Sequence, residues 1–284
     1  MESAKTKDVL SSEDLQKMTG MKGSLGKVVS RALLKLLEID KVNRRTNEIK
    51  EFQGPDFAAK VLEGVGASYE IAGGSLDSIP AEGGFITVSN HHYGSIDGLI
   101  LCDTIGRKRS DYKLLTTFLL SLIPNLSQGF LPVNNMGGKN DARSINSIRT
   151  ALNHIHDGGA LGLFPAGICA TWQKKKNRVN NPKNPFEVED FPWAPNMMRL
   201  IQKSGLPVIP IGFTGQNSLS FHLMGLIHPR LRTARLIHEL FNKKGTHVKI
   251  FIGEPIPAEE LAGFKNPEEL ASHLRSLTYS LCKE

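Results

Sequence analysis

The hydrophobic positions along the chain change period several times, and those changes lay out its elements. LGKVVSRALLKLLEI (residues 25–39) puts Leu25, Val28, Val29, Ala32, Leu33, Leu36 and Leu37 at helical spacing. Lys27, Arg31 and Lys35 recur every four residues beside that stripe. Long basic stems flank many helices packed on their own domain, which is the plainer expectation. The same pattern suits a helix lying in a membrane interface. Residues 1–20 are polar and are expected to fray. EFQGPDFAAKVLEGVGASYEI reads as a second helix followed by a short strand.

Beyond residue 65 the pattern alternates. GFITVSN, GFLPVNN, ALGLFPAG, LPVIPIGFTG and HVKIFIGEPI are short, β-rich runs. Between and after them stand helical stretches: SIDGLILCDTIG from about Ser95, SINSIRTALNHIHDGG, APNMMRLIQKSG and the closing NPEELASHLRSLTYSLCKE. In the second of these Ile145, Ile148, Leu152 and Ile155 share a face, and Gly158 and Gly159 form a stop. Strands alternating with helices predict an α/β fold with a mixed, largely parallel central sheet flanked by helices. The expected division is a helical N-terminal segment, residues 1–65, suited to a membrane interface, and an α/β domain, residues 66–284.

Composition narrows the partners. With 40% hydrophobic and 22% charged residues, the 284-residue chain is of ordinary globular type. Lys plus Arg exceed Asp plus Glu by 35 to 28, a formal charge of +7 that suits an anionic partner. Nucleic acid is not expected, because no aromatic-basic recognition motif accompanies the charge. Cys102, Cys169 and Cys282 are odd in number and widely spaced, arguing for a reducing compartment. The first residues hold no apolar signal core, and no run is long enough to span a bilayer.

The candidate chemistry lies in VSNHHYGSIDG (residues 88–98), directly after a strand. A histidine at a strand end can offer one ring nitrogen to a nearby carboxylate and the other to a substrate hydroxyl, the arrangement of a general base. Asp97 would also be favoured there simply for lying near a helix N-terminus. Both His91 and His92 are candidates for the base.

Three later stretches add weight: GFLPVN, LFPAG and VIPIGF, each ending a strand, with GEPIP closing the series. In order and spacing they resemble the blocks of the glycerolipid acyltransferase superfamily over roughly residues 75–256. The resemblance implies a fold like that of glycerol-3-phosphate acyltransferase. It also implies transfer of an acyl chain from a thioester, on coenzyme A or acyl carrier protein, to a lipid hydroxyl. The thioester is a co-substrate, and no other cofactor and no metal is implied. Four residues separate His92 from Asp97, the usual spacing in that superfamily; five separate His91 from Asp97. The haemolysin-like, amino-acid-lipid branch uses the longer spacing and is the closer likeness, which favours His91. The segment of residues 218–245 is also similar to that branch.

The second block has Asn134 where glycerol-phosphate enzymes carry an arginine, and the third reads Phe164-Pro165-Ala166-Gly167 with Ala166 in place of a glutamate. Ile168 and Cys169 stand where threonine and arginine grip phosphate in those enzymes, and the amino-acid-lipid branch often has a glutamate at the Ile168 position. The phosphate grip is therefore expected to be missing. The expected acceptor is an N-(3-hydroxyacyl) amino-acid lipid, with a lysophosphatidate or other lysophospholipid as the alternative enzyme reading. A non-catalytic lipid- or carrier-binding protein is the alternative from another class. Phe164, Pro165, Ala166 and Gly167 are expected to shape the acceptor side. Asn134, Lys139 and Arg143, and the basic run KKKNR (residues 174–178), can meet an anionic head group or carrier, or can simply be solvated. Cys169 reads either as a small buried apolar residue or as a nucleophile. The apolar LLTTFLLSLIPNL suits an acyl channel or plain core, and Trp172 and Trp193 suit a membrane interface. Together these place the protein peripherally on the cytoplasmic face of the cell membrane.

Overall fold

The structure, a computed structural model, describes residues 8–19, 23–117, 123–133, 142–173, 184 and 186–283. Nine strands are found among them: β1 (Ala67–Gly73), β2 (Phe85–Ser89), β3 (Lys113–Thr117), β4 (Phe130–Val133), β5 (Ala160–Leu163), β6 (Thr171–Trp172), β7 (Val188–Glu189), β8 (Val208–Phe213) and β9 (Thr246–Ile252). Seven form one sheet in the order β1-β9-β8-β2-β5-β3-β4, while β6 and β7 make a separate antiparallel pair. Neighbours from β8 to β4 are parallel, and β9 turns antiparallel to β8 while running parallel to β1. The expected mixed, largely parallel α/β sheet is what forms.

Helices cover both faces. On one lie α4 (Gly54–Val65) and α5 (Ser95–Lys108), whose Phe57, Ala58, Leu62, Ile96, Ile100 and Leu101 pack with Phe85 and Ile250. On the other lie α6 (Ala142–His156), α7 (Pro195–Ser204), α11 (Ala258–Ala262) and α12 (Pro267–Ser280), packed on Ile86, Val88 and Leu161. Phe85 and Ile86 thus serve opposite layers, as successive residues of a strand buried on both faces must.

The N-terminal part departs from expectation. Residues 12–19 form a helix, α1 (Ser12–Thr19), where fraying is predicted. The helix expected over residues 25–39 becomes α2 (Gly23–Leu36) and α3 (Ile39–Glu48), parted at Glu38, which takes a left-handed φ of 57°. The apolar stripe of α2 does not pack inward: Leu25, Val28, Val29 and Leu36 are exposed, and the buried residues are Gly26 and Ser30. Small side chains allow close approach on that side, so the bulky ones face outward. The similarity-marked segment 218–245 supplies three further helices, α8 (Leu219–Ile227), α9 (Pro229–Ala234) and α10 (Leu236–Phe241). No helix of the described residues is long and apolar enough to cross a membrane.

Candidate active site

The carboxyl ends of the parallel strands β2, β5 and β8 converge, the usual place for ligands in open α/β sheets. The turn after β2 is held there by Asn90. Its side chain donates to the Phe213 carbonyl at 2.9 Å and accepts from the Phe213 N–H at 2.7 Å. The His91 N–H then donates to Asp190 Oδ1 at 3.0 Å, and the His91 carbonyl accepts from Ala170 at 2.7 Å. These backbone bonds fix the direction in which the His91 side chain leaves the turn.

His91 Nδ1 lies 3.0 Å from Asp97 Oδ2. Asp97 is fully buried on the first turn of α5, and the same oxygen accepts the Tyr93 and Gly94 N–H groups at 2.8 and 3.1 Å. The carboxylate therefore does both things the sequence allowed. It caps its own helix at the end where a negative charge is favoured, and it faces the histidine. Phe164, leading out of β5, stacks on the His91 ring with centroids 4.1 Å apart. The Cys169 thiol stands near that ring as well. Burial works against a charged imidazole, but Cys169 and Asp97 outweigh it and hold the His91 pKa well above its ordinary value.

Gly94 makes this crowding possible. Its φ is +79°, and a Cβ there would come within 3.0 Å of Cys169 Sγ and 3.1 Å of Leu236. The Phe164–Gly167 turn closes with a Gly167 N–H donated to the Phe164 carbonyl at 2.9 Å, and Pro165 anchors it by accepting from Ala194 at 3.0 Å. Ala166 packs at the edge of the core and Ile168 is exposed.

His92 is placed differently. It is buried, with Nδ1 2.6 Å from the Gly215 carbonyl and Nε2 3.2 Å from the Tyr279 hydroxyl. The Tyr279 hydroxyl accepts from the Asp190 N–H at 2.6 Å, which links His92 to the residue that holds His91. Asn217 bonds the His92 carbonyl at 3.3 Å and takes a bond from Lys243, itself paired with Glu239 at 3.1 Å. None of Asp190, Asn217, Lys243 and Tyr279 was singled out from sequence. Each lies more than 90 residues from the turn it supports.

Of the other expected site residues, Asn134 and Lys139 lie outside the described residues, as does KKKNR. Arg143 is on the first turn of α6. Trp193 is no interface residue: it is buried and donates to Asp190 Oδ2 at 2.8 Å. Trp172 stacks on His222 and meets Phe186 edge-on.

A small apolar cavity of about 40 Å³ opens beside the turn. Ser95 lines it at the start of α5, with Val61, Leu99, Ile123, Leu126 and Leu240 among its walls. Ile123 and Leu126 come from the stretch read as an acyl channel or core.

A family profile described as "Acyltransferase" matches residues 16–284. The lyso-glycine lipid O-acyltransferase of Bacteroides thetaiotaomicron is 26% identical over 262 residues, spanning 90% of this chain and 90% of that protein. That of Phocaeicola vulgatus is 25% identical over 251 residues, spanning 85% and 83%. Among solved structures, the 1-acyl-sn-glycerophosphate acyltransferase PlsC from Thermotoga maritima matches with a TM-score of 0.46 and 16% identity, over 95% of this chain and 86% of that one.

Proposed function

The chain belongs to the acyltransferase family, and from that premise we propose that it moves a fatty acyl chain from a thioester to the hydroxyl of an N-(3-hydroxyacyl) amino-acid lysolipid. The contact of 3.0 Å between His91 Nδ1 and Asp97 Oδ2 carries the reading. With Asp97 at Nδ1, Nε2 is the nitrogen that meets the acceptor hydroxyl and takes its proton. The hydroxyl oxygen attacks the thioester carbonyl, and the departing thiolate leaves with the proton His91 has taken. Help of this kind is worth roughly 10²–10⁴-fold, with the remainder supplied by holding two substrates in place.

The apolar walls of the small cavity beside Ser95 suit the tip of an acyl tail. The names of the two bacterial relatives support an amino-acid head group, and so does the absence of arginine from the second and third sequence blocks. Leu25, Val28 and Leu36 on α2, and Leu219, Leu223, Leu226 and Ile227 on α8, are exposed apolar side chains that suit a membrane surface. The acyl donor is coenzyme A or acyl carrier protein, and no resident cofactor enters the scheme.

The test is an assay of purified protein with acyl-coenzyme A and acyl carrier protein thioesters, offering N-(3-hydroxyacyl)glycine and lysophosphatidate side by side. Turnover of the glycine lipid, lost in His91→Ala, is the expected result. Turnover of lysophosphatidate alone overturns the head-group assignment.

A further inference from the structure

Arg232, on α9, is 5% exposed, yet among the described residues no carboxylate pairs with it. Its guanidinium lies over the rings of Phe191 and Phe221, at 5.5 and 5.6 Å. Among the described residues, every buried carboxylate is committed elsewhere. Asp97 faces His91, Asp103 pairs with Arg107, Glu189 with Arg275 and Glu239 with Lys243, while Asp190 holds His91 and Trp193. A buried charge without a partner is costly, and a folded chain keeps one where something else completes it.

The place is informative. Phe221, under the guanidinium, precedes His222, and His222 meets Thr171, the residue after the Ala170 whose N–H bonds the His91 carbonyl. His222 is itself buried: its Nδ1 contacts Thr171 Oγ1 at 3.1 Å, and its Nε2 makes no well-formed hydrogen bond. Burial, with Arg232 adding to it, pushes the His222 pKa down to about 4, so the ring is neutral at physiological pH. Room for the arginine stem comes from Gly225, where a Cβ would stand 3.1 Å from Arg232 Cδ. A planar guanidinium is the group best shaped to take a carboxylate or phosphate with two parallel bonds.

We infer that Arg232, with His222 beside it, binds the anionic head group of the acceptor, a carboxylate in the amino-acid lysolipid. This rests on the acceptor class proposed above. The cation missing from the second and third sequence blocks is supplied instead by a helix some 60 residues beyond the third.

The experiment compares N-(3-hydroxyacyl)glycine with its methyl ester, and lysophosphatidate with neutral monoacylglycerol, for the unmodified protein, Arg232→Gln and Arg232→Met. Loss of a charged hydrogen-bonding partner is worth roughly 10- to 150-fold. Arg232→Gln should lower kcat/KM for the free acid by that factor and leave the methyl ester nearly unchanged. Thermal-shift binding of N-(3-hydroxyacyl)glycine without any acyl donor should weaken in parallel. Arg232→Met should melt close to the unmodified protein, since it removes a buried cation that no carboxylate pairs with and leaves an apolar side chain against Phe191 and Phe221. An equal loss on acid and ester, with a lowered melting temperature, would make Arg232 a structural strut and overturn the inference. Unchanged discrimination in a folded variant would overturn it too. Should lysophosphatidate be the only acid acylated, and lose its advantage over monoacylglycerol in Arg232→Gln, the anion site stands. The carboxylate assignment and the proposed acceptor then both fail.

Discussion

Asn90 and Phe213 are bonded both ways: the Asn90 amide spans the N–H and C=O of one residue on the neighbouring strand. Both residues are fully buried, so neither backbone group has water to fall back on. Asn90→Ala strands both, at about 1–3 kcal/mol each. Urea unfolding should show a fall of about 2–5 kcal/mol, with the denaturant slope unchanged. A fall under 0.5 kcal/mol would mean that the turn is held by other contacts.

The two adjacent histidines separate cleanly in mutagenesis. His91→Ala should cost roughly 10²–10⁴-fold in kcat with little change in melting temperature. His92→Ala removes the partner of the Gly215 carbonyl and of the buried Tyr279 hydroxyl, and should cost about 1–3 kcal/mol of stability. The folded fraction of that variant should keep most of its turnover. The reverse assignment of effects would make His92 the base.

A base works without its proton. Burial opposes the charge on His91, but Cys169 and Asp97 outweigh it, so the proton leaves above the ordinary imidazole value of about 6.5. The pH profile of kcat/KM should therefore climb with pH through a limb lying above that value. Asp97→Asn withdraws one anionic neighbour; it should shift the limb to lower pH and reduce the plateau. A limb that stays in place in Asp97→Asn would show that another group sets it.

Filling the cavity should change chain-length preference. Val61 lines it from α4, and Val61→Phe closes it off. The ratio of kcat/KM for short over long acyl thioesters should rise at least tenfold, at a cost of about 1–3 kcal/mol in stability from added bulk. An unchanged ratio would place the acyl tail elsewhere.

Ile227 and Leu36 are, among the described residues, the most exposed large apolar side chains, at 75% and 76%. Replacing Leu226 and Ile227 by serine should weaken sedimentation with anionic vesicles without lowering the melting temperature. Leu25→Ser with Leu36→Ser should do the same from α2. Undiminished sedimentation in all four substitutions together would remove the lipid surface from these faces.

Much of this was legible in the chain, for physical reasons. Short apolar runs bounded by turn residues mark strands, and β2, β4, β5, β8 and β9 fall where those runs fall. The Asp97 spacing is local, so the capped turn shows in eleven residues. What escaped is of two kinds. The break at Glu38 depends on one residue accepting a left-handed conformation that its type does not advertise. Asp190, Tyr279 and Lys243 are distant in sequence and become neighbours of the turn only through the sheet. Arg232 is hidden differently. Its meaning lies in a partner it lacks, and a sequence cannot display a missing contact. The stripe on α2 was visible, but which way it faces is decided by Gly26 and Ser30.

The hydroxyl of Tyr279 closes a loop of 187 residues back to His92. The edge strand β1 likewise finds its partner only when β9 exists, its register running from Ala67 on Thr246 to Gly73 on Phe251. A ribosome working at about 5–20 residues per second needs roughly ten to forty seconds to bridge such a gap. Through that interval β1 is an unpaired edge and the histidine turn lacks its last brace. Non-local closure of this kind makes folding slow, and it makes the nascent chain, more than the finished protein, the form most exposed to aggregation.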